Sequence, residues 1–258
     1  MKYTKEQLKQ DLIKLGICPG DVVLMHSSFK SLGEMEAGAK TFFEGFLEVL
    51  GAEGTLILPA LSWESVTREN ADFFLDETPS CVGYLTEYFR TSVPGVKRSL
   101  HATHSCCVKG KLADEIIKDH EKDTTPVGAN SPFAKLPKVG GKVLMLGCNT
   151  ARNTMMHGVE ETLTLPYGIA WDKPITYRLH KGETVIEVES HRHNFLTEEG
   201  EVIEQRYDRV IDLLDEQEVS FGNVLSAKCV LMDAKAAWEK GRDMMEKEPL
   251  YFVDHPKK

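Results

Sequence analysis

No run of apolar residues in this 258-residue sequence approaches the roughly 18 that a bilayer-spanning helix needs. The opening MKYTKEQLKQ reads as a charged helix rather than a secretory leader. A cytoplasmic protein with no membrane partner is therefore expected. Clustered positive charge is also missing: 31 Lys+Arg against 40 Asp+Glu give a net charge of −9, and no five or six basic residues stand together. That argues against a nucleic-acid surface, which needs grouped Lys and Arg to neutralise phosphates. The six cysteines (Cys18, Cys81, Cys106, Cys107, Cys148, Cys229) are few, scattered and without a CxxC pair. They are expected as free thiols packed like small hydrophobes, not as a disulfide framework. The phosphate loop GxxxxGK[ST], the dinucleotide fingerprint GxGxxG and the hydrolase elbow GxSxG are all absent, which removes the main support for nucleotide hydrolases, dehydrogenases and serine hydrolases. No nucleophile is activated by its sequence neighbours, so direct transfer is expected over a covalent enzyme intermediate. Repeats and Pro/Ser linkers are lacking too, and residues 1–258 read as one domain.

What is present alternates between two periods. Thr4 and Gln7 form a capping box, and Leu8, Leu12, Ile13 and Leu15 follow at helical spacing up to Gly16. Val22 to Met25 is a short apolar run of the kind buried on both faces of a sheet. Phe42, Phe43, Phe46, Leu47, Val49 and Leu50 mark a second helix, and Thr55 to Pro59 a second strand, so a parallel βαβ unit is the economical reading. Val82–Phe89 and Leu112–His120 read as helices, Cys106–Val108 and Lys142–Gly147 as strands. Ile175–Leu179 and Thr184–Val188 read as a hairpin around His180-Lys181-Gly182-Glu183. Helices near Glu204–Leu214 and Ala234–Lys247 flank a last strand, Val224–Met232. The class is α/β: a mainly parallel central sheet flanked by helices, with an added antiparallel hairpin region in the C-terminal half.

Three segments carry candidate chemistry. His26-Ser27-Ser28-Phe29-Lys30-Ser31-Leu32-Gly33 directly follows the first buried strand, where three hydroxyls, a lysine and backbone N–H groups suit an anion, or simply cap the next helix. In Ser99-Leu100-His101-Ala102-Thr103-His104-Ser105, an extended chain puts His101 and His104 on opposite sides. In Asn153-Thr154-Met155-Met156-His157-Gly158-Val159-Glu160-Glu161, a helix brings Thr154, His157, Glu160 and Glu161 to one face. An imidazole beside a carboxylate has its tautomer fixed and its basicity raised, which suits it to take a proton from an attacking amine, thiol or water. The same spacing, or His191 with His193, suits a metal, but no compact HExxH set accompanies them and none is expected.

In order and spacing these segments resemble the antibiotic N-acetyltransferase family, best known for aminoglycoside 3-N-acetyltransferases. The blocks are Gly20 to Ser28, Gly54 to Pro59, His101 to Ser105, Asn130 to Leu136, Gly141 to Gly147, and Asn153-Thr154 with His157 and Glu160. Ala102 stands where the family usually has proline. The resemblance implies transfer of an acyl group from acetyl-coenzyme A to an amine, with His157 as base and Glu160 as its partner. It places Ser27, Ser28 and Lys30 near the phosphates of coenzyme A, and Thr103, His104, Ser105 and Ser131 near its pantetheine or acyl end. Asp172, His191 and His193, with Glu189 and the run Thr197-Glu198-Glu199, are the candidate acceptor contacts. An aminoglycoside amine is mostly protonated at neutral pH, so a base is required, and a negative surface draws in a polycation. Other acceptor amines, a non-catalytic coenzyme-binding protein, and a metal-dependent hydrolase built on His157, Glu160, His191 and His193 remain as alternatives. An edge-to-edge homodimer is possible.

Overall fold

The computed structural model of the chain describes residues 2–196 and 200–254. The capping box forms as expected: Thr4 and Gln7 bond reciprocally at the start of α1 (Lys5–Leu15), and Gly16 closes it in a left-handed conformation. Strand β1 (Val22–Ser27), helix α2 (Ala39–Leu50) and strand β2 (Thr55–Pro59) follow, and β1 and β2 pair in parallel, Val23 against Leu56. Next come β3 (Asp72–Phe74), α3 (Tyr84–Ser92), β4 (Lys97–Arg98), β5 (Cys106–Gly110), α4 (Ala113–Ile117), α5 (Pro132–Lys135), β6 (Lys142–Leu146) and α6 (Met155–Glu160). The chain continues through β7 (Gly168–Ile169), the hairpin β8 (Ile175–Lys181) and β9 (Thr184–Ser190), β10 (His193–Asn194) and β11 (Glu204–Gln205). It ends with β12 (Val219–Val224), β13 (Ala227–Asp233), α7 (Ala234–Lys247) and β14 (Val253–Asp254).

The main sheet has the order β12-β13-β6-β1-β2-β5-β4. Its centre, β6-β1-β2, is parallel, as expected for strands whose residues are apolar on both faces. The strands added on either side run antiparallel, so the antiparallel share is larger than the hairpin alone. Alternation along β1 sorts the core: Val23 and Met25 pack with α1 and α2, including Phe42, Phe43 and Phe46, while Val22 and Leu24 face α6 and α7. Cys106 and Cys107 likewise enter opposite layers. Each fully buried phenylalanine contributes about 1.5–3 kcal/mol relative to an exposed one.

Several expectations need correction. The region Glu204–Leu214 is not an α-helix: Glu204 and Gln205 are taken into β11 by pairing with β14, Arg206 is ion-paired to Asp208 and Asp254, and Tyr207–Leu213 winds as a 3-10 turn. The last strand is half of a hairpin, since the chain reverses at Leu225, which takes a left-handed φ of 52°. Leu112–His120 is helical only over Ala113–Ile117, and Val82–Phe89 begins its helix at Tyr84. Cys106, Cys107 and Cys229 are buried, whereas Cys18 is exposed. Among the described residues no helix is long and apolar enough to cross a membrane.

Candidate active site

Parallel pairing sets where side chains gather. In β1 and β6, His26 lies opposite Met145 and Ser27 opposite Leu146, so both strands end at the same edge of the sheet. β5 is antiparallel to β2, with Cys106 opposite Pro59, so the turn feeding into β5 arrives at that edge too. A cavity of about 620 Å³ opens there, lined among others by His26, Ser27, Thr103, His104, Thr154, His157 and His193. This is the position beyond the carboxyl ends of parallel strands where open α/β sheets bind ligands.

Helix α6 delivers His157. Asn153 caps its start by accepting the Met155 N–H at 3.2 Å. The helix packs closely on α7: a Cβ on Gly158 would meet the Trp238 ring at 2.8 Å, and one on Gly241 would meet Met156 Cε at 2.8 Å. Glycine at 158 thus seats the helix. Glu160 Oε2 lies 3.2 Å from His157 Nδ1, and Tyr207 from the 3-10 turn joins both, donating to Glu160 at 2.7 Å and meeting Nδ1 at 2.6 Å. Burial, then the charge of Glu160, holds the Tyr207 hydroxyl well above its usual range, so it keeps its proton. With that one proton given to Glu160, the tyrosine oxygen accepts from Nδ1–H, which places the lone pair of His157 on Nε2. Nε2 has no hydrogen-bond partner among the described residues, and the ring lines the cavity.

A second imidazole stands beside the first. The His193 ring centroid is 4.3 Å from that of His157, and its Nε2 is 3.2 Å from Glu161 Oε1. The ring of His104 meets His193 edge-on at 5.1 Å, with its own Nδ1 2.9 Å from Thr103 Oγ1. Burial holds His104 and His193 well below the ordinary histidine range, and burial aided by the charge of His157 takes His26 to about 3. Burial pushes the Glu161 carboxyl up to about 8.

The Ser99–Ser105 segment is a turn rather than an extended chain, because His101 Nδ1 accepts both the Thr103 and the His104 N–H. His101 stacks on His120 at 4.7 Å and meets the His104 ring edge-on at 6.3 Å. Ser27, Thr103, His104, His157 and His193 meet in the cavity, whereas other predicted residues lie elsewhere. Ser28 donates its backbone N–H to Leu146, and Lys30 is exposed outside the lining. Ser105 is committed to Ala60 O and Arg98, and Ser131 caps α5 through the Ala134 N–H. Asp172 is exposed beside Lys173, Glu189 is exposed on β9, and His191 turns its ring to Ala170 O. Thr197-Glu198-Glu199 lies outside the described residues. His157, Glu160 and His193 come together while His191 is turned to Ala170 O, and among the described residues no three His, Cys, Asp or Glu side chains are grouped to hold a metal. Tyr207 escaped the sequence reading, where it looked like one helix residue among several; His26 was read as opening the loop after the first strand, whereas it lies within β1.

A family model described as aminoglycoside 3-N-acetyltransferase matches residues 24–246. The chain is 33% identical over 168 residues to aminoglycoside N(3)-acetyltransferase IV of Salmonella sp, an alignment covering 65% of this chain but only 62% of that enzyme. It is 30% identical over 255 residues to the prophage-derived aminoglycoside N(3')-acetyltransferase-like protein YokD of Bacillus subtilis, covering 91% of this chain and 89% of that protein. Among solved structures, a histidine-to-alanine variant of aminoglycoside acetyltransferase AAC(3)-IVa in complex with a gentamicin superposes with a TM-score of 0.81 at 27% identity, covering 98% of this chain and 92% of the other.

Proposed function

Because the chain belongs to the aminoglycoside 3-N-acetyltransferase family, we propose that it carries an acetyl group from acetyl-coenzyme A directly to an amine, the 3-amino group of an aminoglycoside or a related amine. The observation that supports this most is His157 Nδ1 pinned by Glu160 and Tyr207, with Nε2 left for the cavity. His157 Nε2 takes a proton from the amine as its nitrogen attacks the thioester carbonyl, and Glu160 stabilises the resulting imidazolium through the Tyr207 bridge. A positioned base of this kind contributes about 10²–10⁴ in rate. Ser27 and Thr103 line the cavity where the thioester must lie. The homologues' names, and the gentamicin in the AAC(3)-IVa complex, support an aminoglycoside acceptor.

The test is release of free thiol from acetyl-coenzyme A in the presence of a panel of aminoglycosides and simple amines. Thiol release that depends on the amine, with the N-acetylated product seen by mass spectrometry, is expected for at least one aminoglycoside. No transfer to any amine would refute the reading.

A further inference from the structure

We propose that His193 and Glu161 form a second proton-handling pair in the same cavity, with opposite polarity to His157 and Glu160: an acid that protonates the departing thiolate. This rests on the transferase reading above. The two pairs are built alike, from the last residue of α6 and the residue that caps it, Glu160 and Glu161, and two imidazoles whose centroids are 4.3 Å apart. They differ in their surroundings. Glu160 Oε2 accepts a hydrogen bond from Tyr207, whereas Glu161 Oε1 is met by the backbone N–H of Val127 at 2.9 Å and by His193 Nε2, with the Thr125 side chain near the carboxyl; the other oxygen of each, Glu160 Oε1 and Glu161 Oε2, is buried without a partner among the described residues. Charged or titratable groups facing the second pair are His157 and Glu160 from α6, His104 and His101 from the turn before β5, Arg192 from its own segment, and Asp123. Among the described residues no lysine or arginine is paired with Glu161, and burial, opposed in part by hydrogen bonds from Thr125 and the Val127 N–H, favours its neutral, protonated form.

A protonated Glu161 donates its O–H to His193 Nε2, so the imidazole carries its own proton on Nδ1. Among the described residues Nδ1 has no partner, and the ring lines the cavity. The amine nitrogen forms its bond to the thioester carbon while His157 Nε2 takes one N–H proton. The C–S bond then breaks with its electron pair on sulfur. His193 Nδ1–H gives its proton to that sulfur as Nε2 takes the proton of Glu161. The reaction leaves N-acetylated amine, free thiol, protonated His157 and ionised Glu161, and solvent returns both residues to their starting states. A base and an acid held in different surroundings let one site run both directions of proton transfer.

Glu161→Gln tests this. Its carbonyl still accepts the Val127 N–H and then takes His193 Nε2–H, so the ring stays in place while Nδ1 loses its proton. Turnover is measured with two donors: acetyl-coenzyme A, whose alkyl thiolate is a poor leaving group, and an S-acetyl thioester of an electron-poor aryl thiol, whose thiolate leaves unprotonated. The expected result is a fall of about 100-fold in kcat/KM with acetyl-coenzyme A but under about 5-fold with the aryl thioester. The alkaline fall of the wild-type pH profile near pH 8 should disappear in the variant. His193→Gln should show the same split, with acetyl-coenzyme A affinity serving as the check on folding. Equal losses on both donors would mean that the pair only shapes the cavity, and wild-type turnover in Glu161→Gln would also overturn the proposal. If His157→Ala is inactive while Glu161→Gln is unaffected, only this inference falls. If wild-type protein transfers to no amine, the transferase reading falls with it.

Discussion

Tyr207 lies 50 positions along the chain from His157, yet it decides which nitrogen of that ring is free. Its single proton goes to Glu160, and this orders the three groups into one chain of donors and acceptors. Tyr207→Phe keeps the ring volume and removes only the oxygen. His157 Nδ1–H then has Glu160 alone, at 3.2 Å, and the carboxylate loses one of its donors. Steady-state kinetics should show kcat reduced by about 10-fold with the affinity for acetyl-coenzyme A unchanged, and urea unfolding should show a loss of about 1 kcal/mol for the missing hydrogen bond. Unchanged kcat would mean that Glu160 fixes the tautomer without help. The histidines follow the same logic: His101 and His104 share one sequence pattern, but one organises a turn through its Nδ1 and the other lines the cavity.

At the scale of elements, what the sequence disclosed depended on periodicity. The α1 cap, the buried strands β1, β2 and β6, the amphipathic helix α2 and the β8–β9 hairpin all announce themselves through spacing, and all form. Failures came where tertiary pairing overrode local pattern. Residues 204–214 have a helical look, yet the pairing of β11 with β14 and the ion pairs of Arg206 leave room for only a 3-10 turn. The β12–β13 hairpin was missed because no Asn-Gly or Gly-Gly pair marks its reversal, and Leu225 takes the left-handed conformation itself. The candidate site was half visible. His157 and Glu160 are three residues apart on a helix, and spacing alone joins them. The pairing of His193 with Glu161 spans 32 residues, and no short-range signal encodes it. Hydroxyls predicted by resemblance divided between the cavity, where Ser27 and Thr103 lie, and structural bonds, where Ser105 and Ser131 are committed.

For the molecule as a whole, the clustering of buried neutral histidines governs stability against pH. Burial lowers His26 to about 3 and His101 to about 4, and holds His104, His120 and His193 well below 6.5. Their stabilisation is complete above the unfolded value of 6.5 and is lost as pH falls below it, because the unfolded chain then binds more protons. Glu161 acts in the opposite sense: raised to about 8 from 4.5, it favours the native state at low pH, and that contribution is lost as pH rises through 8. Asp123, also raised by burial, offsets some of the acid-side loss. Stability should therefore peak near pH 6.5–7, decline gently toward pH 8 and fall steeply below pH 6, each unopposed histidine contributing up to about 1.4 kcal/mol per pH unit. Urea midpoints measured from pH 5 to 8 check this, and a midpoint that is flat between pH 5 and 7 would contradict it. The central claim, that His157 is the base of an acetyl transfer, is tested most directly by His157→Ala, with acetyl-coenzyme A binding measured by calorimetry and turnover by thiol release. The account predicts affinity within about 3-fold of wild type and turnover lowered by at least about 10², whereas wild-type turnover in that variant would contradict it.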